Sequence, residues 1–289
     1  MKPMDFTHLL PLFAQGLAYV CLAFVFLLIT KKIADIRTVD IDDDHEIVEN
    51  SNLAIGLRRA GLFLACAIAM TGSLAGDTFN FTTDITVVGV DCLLVLVCLF
   101  ACRKINDAVM LAHINNDAHA KNNNAAVGLA ELGMYIATGF ILNGAFTGPD
   151  PNLFHGMASA LVFFVIGQAA LLGLGLLYEL TTPFSIRDEI EKANPAAGVT
   201  LAGVLIAYGI ILRSSIAGAS GGWIFDLVSF VLYSLYGIVI LFVFNKLVVW
   251  LVLPRADLTT EVVRDRNVAG VLLAKSVLIA LSLITAAVM

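Results

Sequence analysis

Four ionisable side chains, Asp91, Glu131, Arg213 and Lys275, stand inside otherwise apolar runs. A charge in such surroundings is costly unless it is paired or lines a pathway. Acids and bases at different depths are the raw material of a proton or ion relay. Their plainer use is as ion pairs that fix how helices sit against one another. By depth, Glu131 suits Arg58, Arg59 or Lys275, and Arg213 suits Asp91, Asp226 or Asp84. Four asparagines, Asn52, Asn124, Asn194 and Asn267, each stand where a polar stretch gives way to an apolar run. Asparagine at such a boundary caps a helix, its side-chain oxygen accepting from an amide of the first turn. A ring of four such side chains would also suit an ion or a lipid head group.

The remaining polar clusters carry less chemistry. His113, Asp117 and His119 form one group, and the run from Asp42 to Glu46 another. Neither has a metal-ligand spacing, so both read as solvated connectors, and no metal or cofactor is expected. No nucleophile and base fall into a recognisable catalytic motif, so the chain does not read as an enzyme. Cys21, Cys66, Cys92, Cys98 and Cys102 all fall in apolar runs without a paired spacing, which predicts buried thiols. Gln168 reads as a hydrogen-bonding bridge between helices.

These residues are set in a chain of 289 residues that is 59% hydrophobic and only 14% charged, with a mean hydropathy of +0.90. Soluble domains carry roughly 25% charged residues. Eight apolar runs, at 9–31, 53–76, 84–103, 125–147, 153–178, 195–218, 223–247 and 267–288, each approach or exceed the ~20 residues that span a bilayer as a helix. The runs are continuous rather than alternating, and lipid leaves no partner for open backbone, so helices are required. The predicted fold is an all-α integral membrane protein with eight transmembrane helices in four repeated hairpins.

The repetition is explicit. Segments opening at Asn52, Asn124, Asn194 and Asn267 align at intervals of 72, 70 and 73 residues. A longer similarity links the stretch from Leu12 with that from Leu153, and Asp84 with Asp226. Residues 1–148 and 149–289 therefore read as two four-helix repeats. Each crosses the membrane an even number of times, so the halves are parallel and related about the membrane normal.

Each Asn-headed helix also carries small residues at fixed offsets. The set includes Gly61, Ala65 and Gly72 in the first, Gly133, Ala137 and Gly144 in the second, Gly203, Ala207 and Ser214 in the third, and Ser276, Ala280 and Ala287 in the fourth. Steps of 4 and 7 residues hold one helix face at ~100° per residue. Small faces let membrane helices approach closely. The Asn-headed helices are therefore expected at the core, with bulkier partners outside; the alternative is that four stripes line a narrow central path.

Of the 17 basic residues, all but Lys2 and Arg213 lie in or near the four connectors that precede the asparagines. The positive-inside rule places those connectors in the cytoplasm and both termini outside. The basic cluster at Lys31 and Lys32 follows the first apolar run, so no cleaved signal is expected. Val20 is a poor residue before a lipidated Cys21. The net charge of −6 argues against nucleic acid as a partner.

The Asn-x-Ala-x-Gly heading of Asn52-Ala54-Gly56, Asn124-Ala126-Gly128 and Asn194-Ala196-Gly198, with the variant Asn267-Ala269-Gly270, resembles the YjfL-like family of uncharacterised bacterial inner-membrane proteins, domain of unknown function three-fifty. The resemblance covers nearly the whole chain as two tandem copies. It implies a bacterial inner-membrane protein, and by association a partner of envelope-stress or peptide and polyamine ligase systems. The expected function is that of a non-enzymatic membrane component. Its partners would be the lipid bilayer and proteins bound by the cytoplasmic connectors, with a homo-oligomer left open. An ion channel or small-solute transporter along the pseudo-symmetry axis is the alternative.

Overall fold

The computed structural model describes residues 9–37, 42–74, 81–148, 153–218, 220–252 and 259–289. Its helices are α1 (Leu9–Arg37), α2 (Asp43–Val48), α3 (Leu53–Ser73), α4 (Phe81–Val109), α5 (Asn116–Lys121), α6 (Ala125–Ala145), α7 (Leu153–Thr181), α8 (Ile186–Glu191), α9 (Pro195–Ile216), α10 (Trp223–Val252) and α11 (Val268–Val288). A π-helical turn, Thr260–Arg264, precedes α11. Eight of these helices are long and apolar enough to cross a membrane, in agreement with the eight runs of the sequence.

The long helices fall into two length classes. Those headed by asparagine, α3, α6, α9 and α11, have 21, 21, 22 and 21 residues. At ~1.5 Å per residue they match a hydrocarbon core ~30 Å thick. The others, α1, α4, α7 and α10, have 29, 29, 29 and 30 residues. They are longer than the hydrocarbon core requires. Three connectors each carry a short helix of 6 residues, α2, α5 and α8, too short to be called from hydrophobic periodicity.

The four asparagine-headed helices stand side by side in a row, in the order α3, α6, α9, α11. Each of α4, α7 and α10 packs against two neighbours of the row: α4 on α3 and α6, α7 on α6 and α9, α10 on α9 and α11. Enclosure is greatest in the middle, with 72% of the apolar window buried in α6 and 89% in α9. At the ends it falls to 56% in α3 and 33% in α11.

The row is held by direct backbone contact. A Cβ added at Gly61 would lie 2.7 Å from the Cα of Leu132. One at Gly128 would lie 2.6 Å from the carbonyl oxygen of Ala54, and one at Gly139 2.7 Å from the Cα of Ala65. The next interface repeats the pattern, with Gly198 against Ala126 at 2.6 Å and Gly209 against Ala137 at 2.7 Å. Gly133 meets Ala202 in the same way. Ala207, on the other face of α9, is also fully buried.

The fourth stripe departs from the expectation. Ser276 and Ala280 are exposed, as are Ala269 and Ala287. Among the described residues no further row helix packs against that face of α11. The stripes also do not converge on a central path: the row has two open ends rather than a closed ring.

Added bulk inside this row should cost stability, and bulk elsewhere should not. Gly139→Ala forces backbone against backbone and should destabilise by about 1–3 kcal/mol. Gly173→Ala on α7, where a Cβ meets nothing within 4 Å, should be neutral or gain up to ~1 kcal/mol. Unfolding in detergent, followed by circular dichroism, checks the contrast.

Candidate functional site

The polar side chains gather at the connector ends of the row. There the backbone reverses between a connector and a row helix through one residue in the left-handed region: Ser51 (φ 51°), Asn123 (φ 57°), Ala193 (φ 55°) and Arg266 (φ 47°). The asparagine that follows each one caps the row helix. Asn52 Oδ1 accepts from Ile55 N at 3.1 Å, Asn124 Oδ1 from Ala126 N at 3.0 Å, Asn194 Oδ1 from Ala196 N at 3.1 Å and Asn267 Oδ1 from Gly270 N at 3.0 Å. Pro195 occupies the first helical position of α9, where no amide is needed.

The amide nitrogens of the first three reach forward to the next repeat. Asn52 Nδ2 donates to Ala120 O at 3.0 Å, Asn124 Nδ2 to Ile190 O at 2.9 Å, and Asn194 Nδ2 to Val262 O at 2.7 Å. Asn123 Oδ1 returns the contact, accepting from Leu53 N at 2.8 Å. Asn267 Nδ2 donates only within its own connector, to Glu261 at 2.7 Å. The asparagines thus form a line of caps and cross-repeat clamps rather than a ring facing a common ligand. Beside Asn194, burial raises the energy of the Glu189 carboxylate, but hydrogen bonds from Lys192 and Asn194 outweigh it and hold the carboxyl below its ordinary range.

Next to the first clamp lies the densest charge cluster. Glu131 and Arg58, 2% and 4% exposed, form a two-pronged pair, with Arg58 Nη2 donating to Glu131 Oε1 at 2.9 Å and Nε to Oε2. Arg58 Nη1 also donates to Asp117 Oδ1 at 2.8 Å, and Arg103 bonds the same oxygen. Asn116 Nδ2 donates to Asp107 at 2.7 Å. Among the described residues, the buried Asn116 Oδ1 and Arg103 Nε lack a hydrogen-bond partner. A cavity of about 10 Å³ lies against Arg103, Asn106, Asp107, Glu131 and Tyr135, the size that admits one water. From there Gln168 Nε2 donates to Asn106 Oδ1 at 2.9 Å, and Thr138 donates to Gln168 Oε1 at 3.0 Å. Two polar groups thus meet at this cavity, one reaching the connector face and the other the middle of α6.

Lys275 is not part of that cluster. It is 2% exposed, and its Nζ donates to Asn245 Oδ1 at 2.8 Å and to Tyr178 Oη at 3.1 Å. The same nitrogen sits 5.3 Å from the centre of the Tyr178 ring. Among the described residues no carboxylate pairs with it.

Toward the loop side, Arg213 meets a partner that the depth of its position did not single out. Its Nε donates to Asn143 Oδ1. Asn143 Nδ2 donates in turn to Thr71 Oγ1 at 2.9 Å and Ile68 O at 2.8 Å. Equal offsets within the repeat place Thr71, Asn143 and Arg213 at one depth on three adjacent row helices, while Asp91 and Asp226 sit on the outer helices. Asp91 accepts from Ser73, and Asp226 from Ser220 and Gly221 N. The Asp84 side chain lies outside the described residues. A cavity of about 260 Å³ opens on this side, lined by His155, Ser159, Ser214, Asp226 and Tyr233 among others. The sequence held no signal for it, since its walls come from α6, α7, α9 and α10 together.

The connector clusters are spent on structure. Asp42 caps α2, Asp43 pairs with Arg59, and Asp44 pairs with Lys31 at 2.7 Å. Among the described residues no three metal-type side chains stand together.

Two outcomes follow. Glu131→Leu or Arg58→Met alone strands a buried charge and should cost about 3–5 kcal/mol, while the double substitution should recover much of the loss. A double-mutant cycle on unfolding free energies measures the coupling. Ala193→Gly removes a side chain from a left-handed position and should stabilise by about 1 kcal/mol, read as a raised Tm.

Comparison with known proteins agrees with this architecture. The chain is 26% identical over 248 residues to a UPF0719 transmembrane protein of Aquifex aeolicus (strain VF5), covering 85% of this chain and 89% of that one. No solved structure matches. The family described as Domain of Unknown Function (DUF350) matches twice in tandem, over residues 6–146 and 152–289. With a duplicated match across nearly its full length, this multi-pass membrane protein belongs to the DUF350 family.

Proposed function

We propose that this protein is a non-enzymatic structural component of the bacterial inner membrane, whose connector face recruits partner proteins. The observation that carries this reading is the backbone contact along the row. Gly61 against Leu132, Gly139 against Ala65 and Gly209 against Ala137 leave no room for a side chain, and so none for a solute between row helices. The charges Arg58, Glu131 and Lys275 are all hydrogen-bonded within the protein, as befits groups that set the register of helices. A role as an envelope-stress or assembly partner fits a protein that presents a folded polar face on one side of the membrane. In this reading the connectors face the cytoplasm and both termini lie outside, as the distribution of Lys and Arg favours.

One observation favours a second reading, ion conduction. Two hydrogen-bonded groups, Asp117–Arg58–Glu131 and Asn106–Gln168–Thr138, line one small cavity inside the membrane region. Row packing speaks against a route for anything larger than a proton.

Reconstitution into liposomes separates the two. The structural reading expects no saturable flux of protons, alkali cations or small organic cations above empty vesicles. Saturable flux that disappears in Glu131→Gln would overturn it. Fluorescent-protein fusions truncated after Asn115 should light up in cells, and phosphatase fusions after Gly148 should be active; the reverse would invert the orientation.

A further inference from the structure

The row ends as it is built. Each interior interface joins a forward face of one row helix to a rear face of the next. The forward face holds Ala54, Gly61, Ala65 and Gly72 on α3, and Ala126, Gly133, Ala137 and Gly144 on α6. The rear face holds Gly128, Leu132, Gly139 and Asn143 on α6, and Gly198, Ala202, Gly209 and Arg213 on α9. Forward Gly61 meets rear Leu132, and forward Gly133 meets rear Ala202. Forward Ala54 and Ala126 meet rear Gly128 and Gly198, and forward Ala65 and Ala137 meet rear Gly139 and Gly209. Forward Gly72 and Gly144 meet rear Asn143 and Arg213.

Among the described residues no row helix packs along two faces of this set, although Thr71 at the end of one accepts from Asn143. The forward face of α11 is Ala269, Ser276, Ala280 and Ala287, all exposed. The rear face of α3 is Gly56, Ala60, Ala67 and Thr71, exposed or half-buried, and a Cβ at Gly56 would meet nothing within 4 Å. Both faces are small throughout, so each could come as close to a partner as the interior helices do.

The connectors end in the same unfinished way. Asn52, Asn124 and Asn194 each clamp a carbonyl of the following repeat, at Ala120, Ile190 and Val262. Among the described residues Asn267 clamps no such carbonyl: its exposed side chain donates to Glu261. The position on the first connector that matches Ala120 and Ile190 is Val48, which is 77% exposed. Ser51 matches Asn123, the residue that accepts from the first amide of the preceding row helix. The outer layer is also thinner at that edge: α4, α7 and α10 each bridge two row helices, whereas among the described residues α1 packs mainly on α3 of the row.

We infer that the protein assembles head to tail with copies of itself, the forward face of α11 in one copy docking on the rear face of α3 in the next. The contact continues the interior interface. It sets Ala269 on Gly56, Ser276 on Ala60, Ala280 on Ala67 and Ala287 on Thr71, with Asn267 clamping the carbonyl of Val48. The exposed Arg266 at one edge approaches the acidic connector that holds Glu46 and Glu49 at the other. Such a contact is heterologous: it uses different surfaces on the two copies, and so builds rings or open rows within the membrane rather than a two-fold dimer.

Paired cysteines test this directly. Cys21, the exposed thiol, is replaced by Ser, and the four buried cysteines are kept. Single Ser276→Cys and Ala60→Cys variants are reconstituted into lipid bilayers alone and mixed, then oxidised. Only the mixture should give a disulfide-linked dimer, and one chain carrying both substitutions should give a ladder of linked chains. Pairing Ser276→Cys with Thr71→Cys, ~16 Å further along α3, should give none. Cross-linking of either single variant with itself would indicate a two-fold contact and overturn the proposal, as would a mixture that stays monomeric. Ser276→Leu gives a second reading, because the residue is exposed and the chain's own fold does not need it small. It should lower the assembled fraction in native mass spectrometry at least tenfold with the Tm of the monomer unchanged. An unchanged assembled fraction would also overturn the proposal.

Discussion

The contact on which the rest depends is that of helix backbone on helix backbone along the row. In lipid, burying leucine against leucine gains little over leaving it in acyl chains, so helices associate through density of contact and hydrogen bonds. Removing Cβ at Gly128, Gly139, Gly198 and Gly209 lets whole turns of α6 and α9 lie against their predecessors. Many weak atom–atom attractions are collected at once, each about 0.1–0.2 kcal/mol. The close spacing also fixes what lies outside the row. The bulkier helices α4, α7 and α10 settle over the seams between neighbours because the row itself has no room for them.

The same spacing explains why the polar contacts follow the repeat. Asn52 finds Ala120, Asn124 finds Ile190, Asn194 finds Val262, Arg58 finds Glu131 and Arg213 finds Asn143. Each pair is separated by about one repeat, so the period of the sequence becomes the range of the contacts. A polar group in this setting needs a partner, because water is absent and the penalty for leaving it bare is several kcal/mol. Equal offsets on parallel neighbouring helices supply partners at equal depth without further design.

Much of this was legible in the residues. Runs of apolar sequence gave the eight crossing helices, and Asn52, Asn124, Asn194 and Asn267 gave the caps. Depth left Arg58, Arg59 and Lys275 open as partners of Glu131; the structure pairs it with Arg58, and both sit about two turns from a capping asparagine. Depth alone did not single out Asn143 as a partner of Arg213; which face Arg213 occupies depends on the rear stripe, of which only the glycines at Gly56, Gly128 and Gly198 stood out. Its positions hold Leu132, Ala202 and Lys275 at one offset, and Thr71, Asn143 and Arg213 at another. No shared residue type marks them as one surface. The left-handed hinges were equally silent, since Ser51, Asn123, Ala193 and Arg266 include no glycine.

The fourth repeat shows what happens when the rear face loses its glycines. Where α6 and α9 place Gly128 and Gly198, α11 places Val271; where they place Gly139 and Gly209, it places Ser282. Gly203 accordingly meets the side chain of Lys275, with Cβ 2.5 Å from the added atom, whereas Gly61 and Gly133 meet helix backbone. The lysine stem thus fills the gap that a wider spacing opens, and its ammonium reaches Tyr178 and Asn245 on the two outer helices. Association at this last seam passes from bare backbone contact to a buried hydrogen-bonded cation. An ammonium held there, with no carboxylate pairing among the described residues, ties α7, α10 and α11 together at one point, so the seam with the fewest close contacts is the one fixed by the most demanding polar group. Substituting Lys275 by an apolar residue would therefore remove the joint that closes the fourth repeat, while leaving the three-helix core of the row intact.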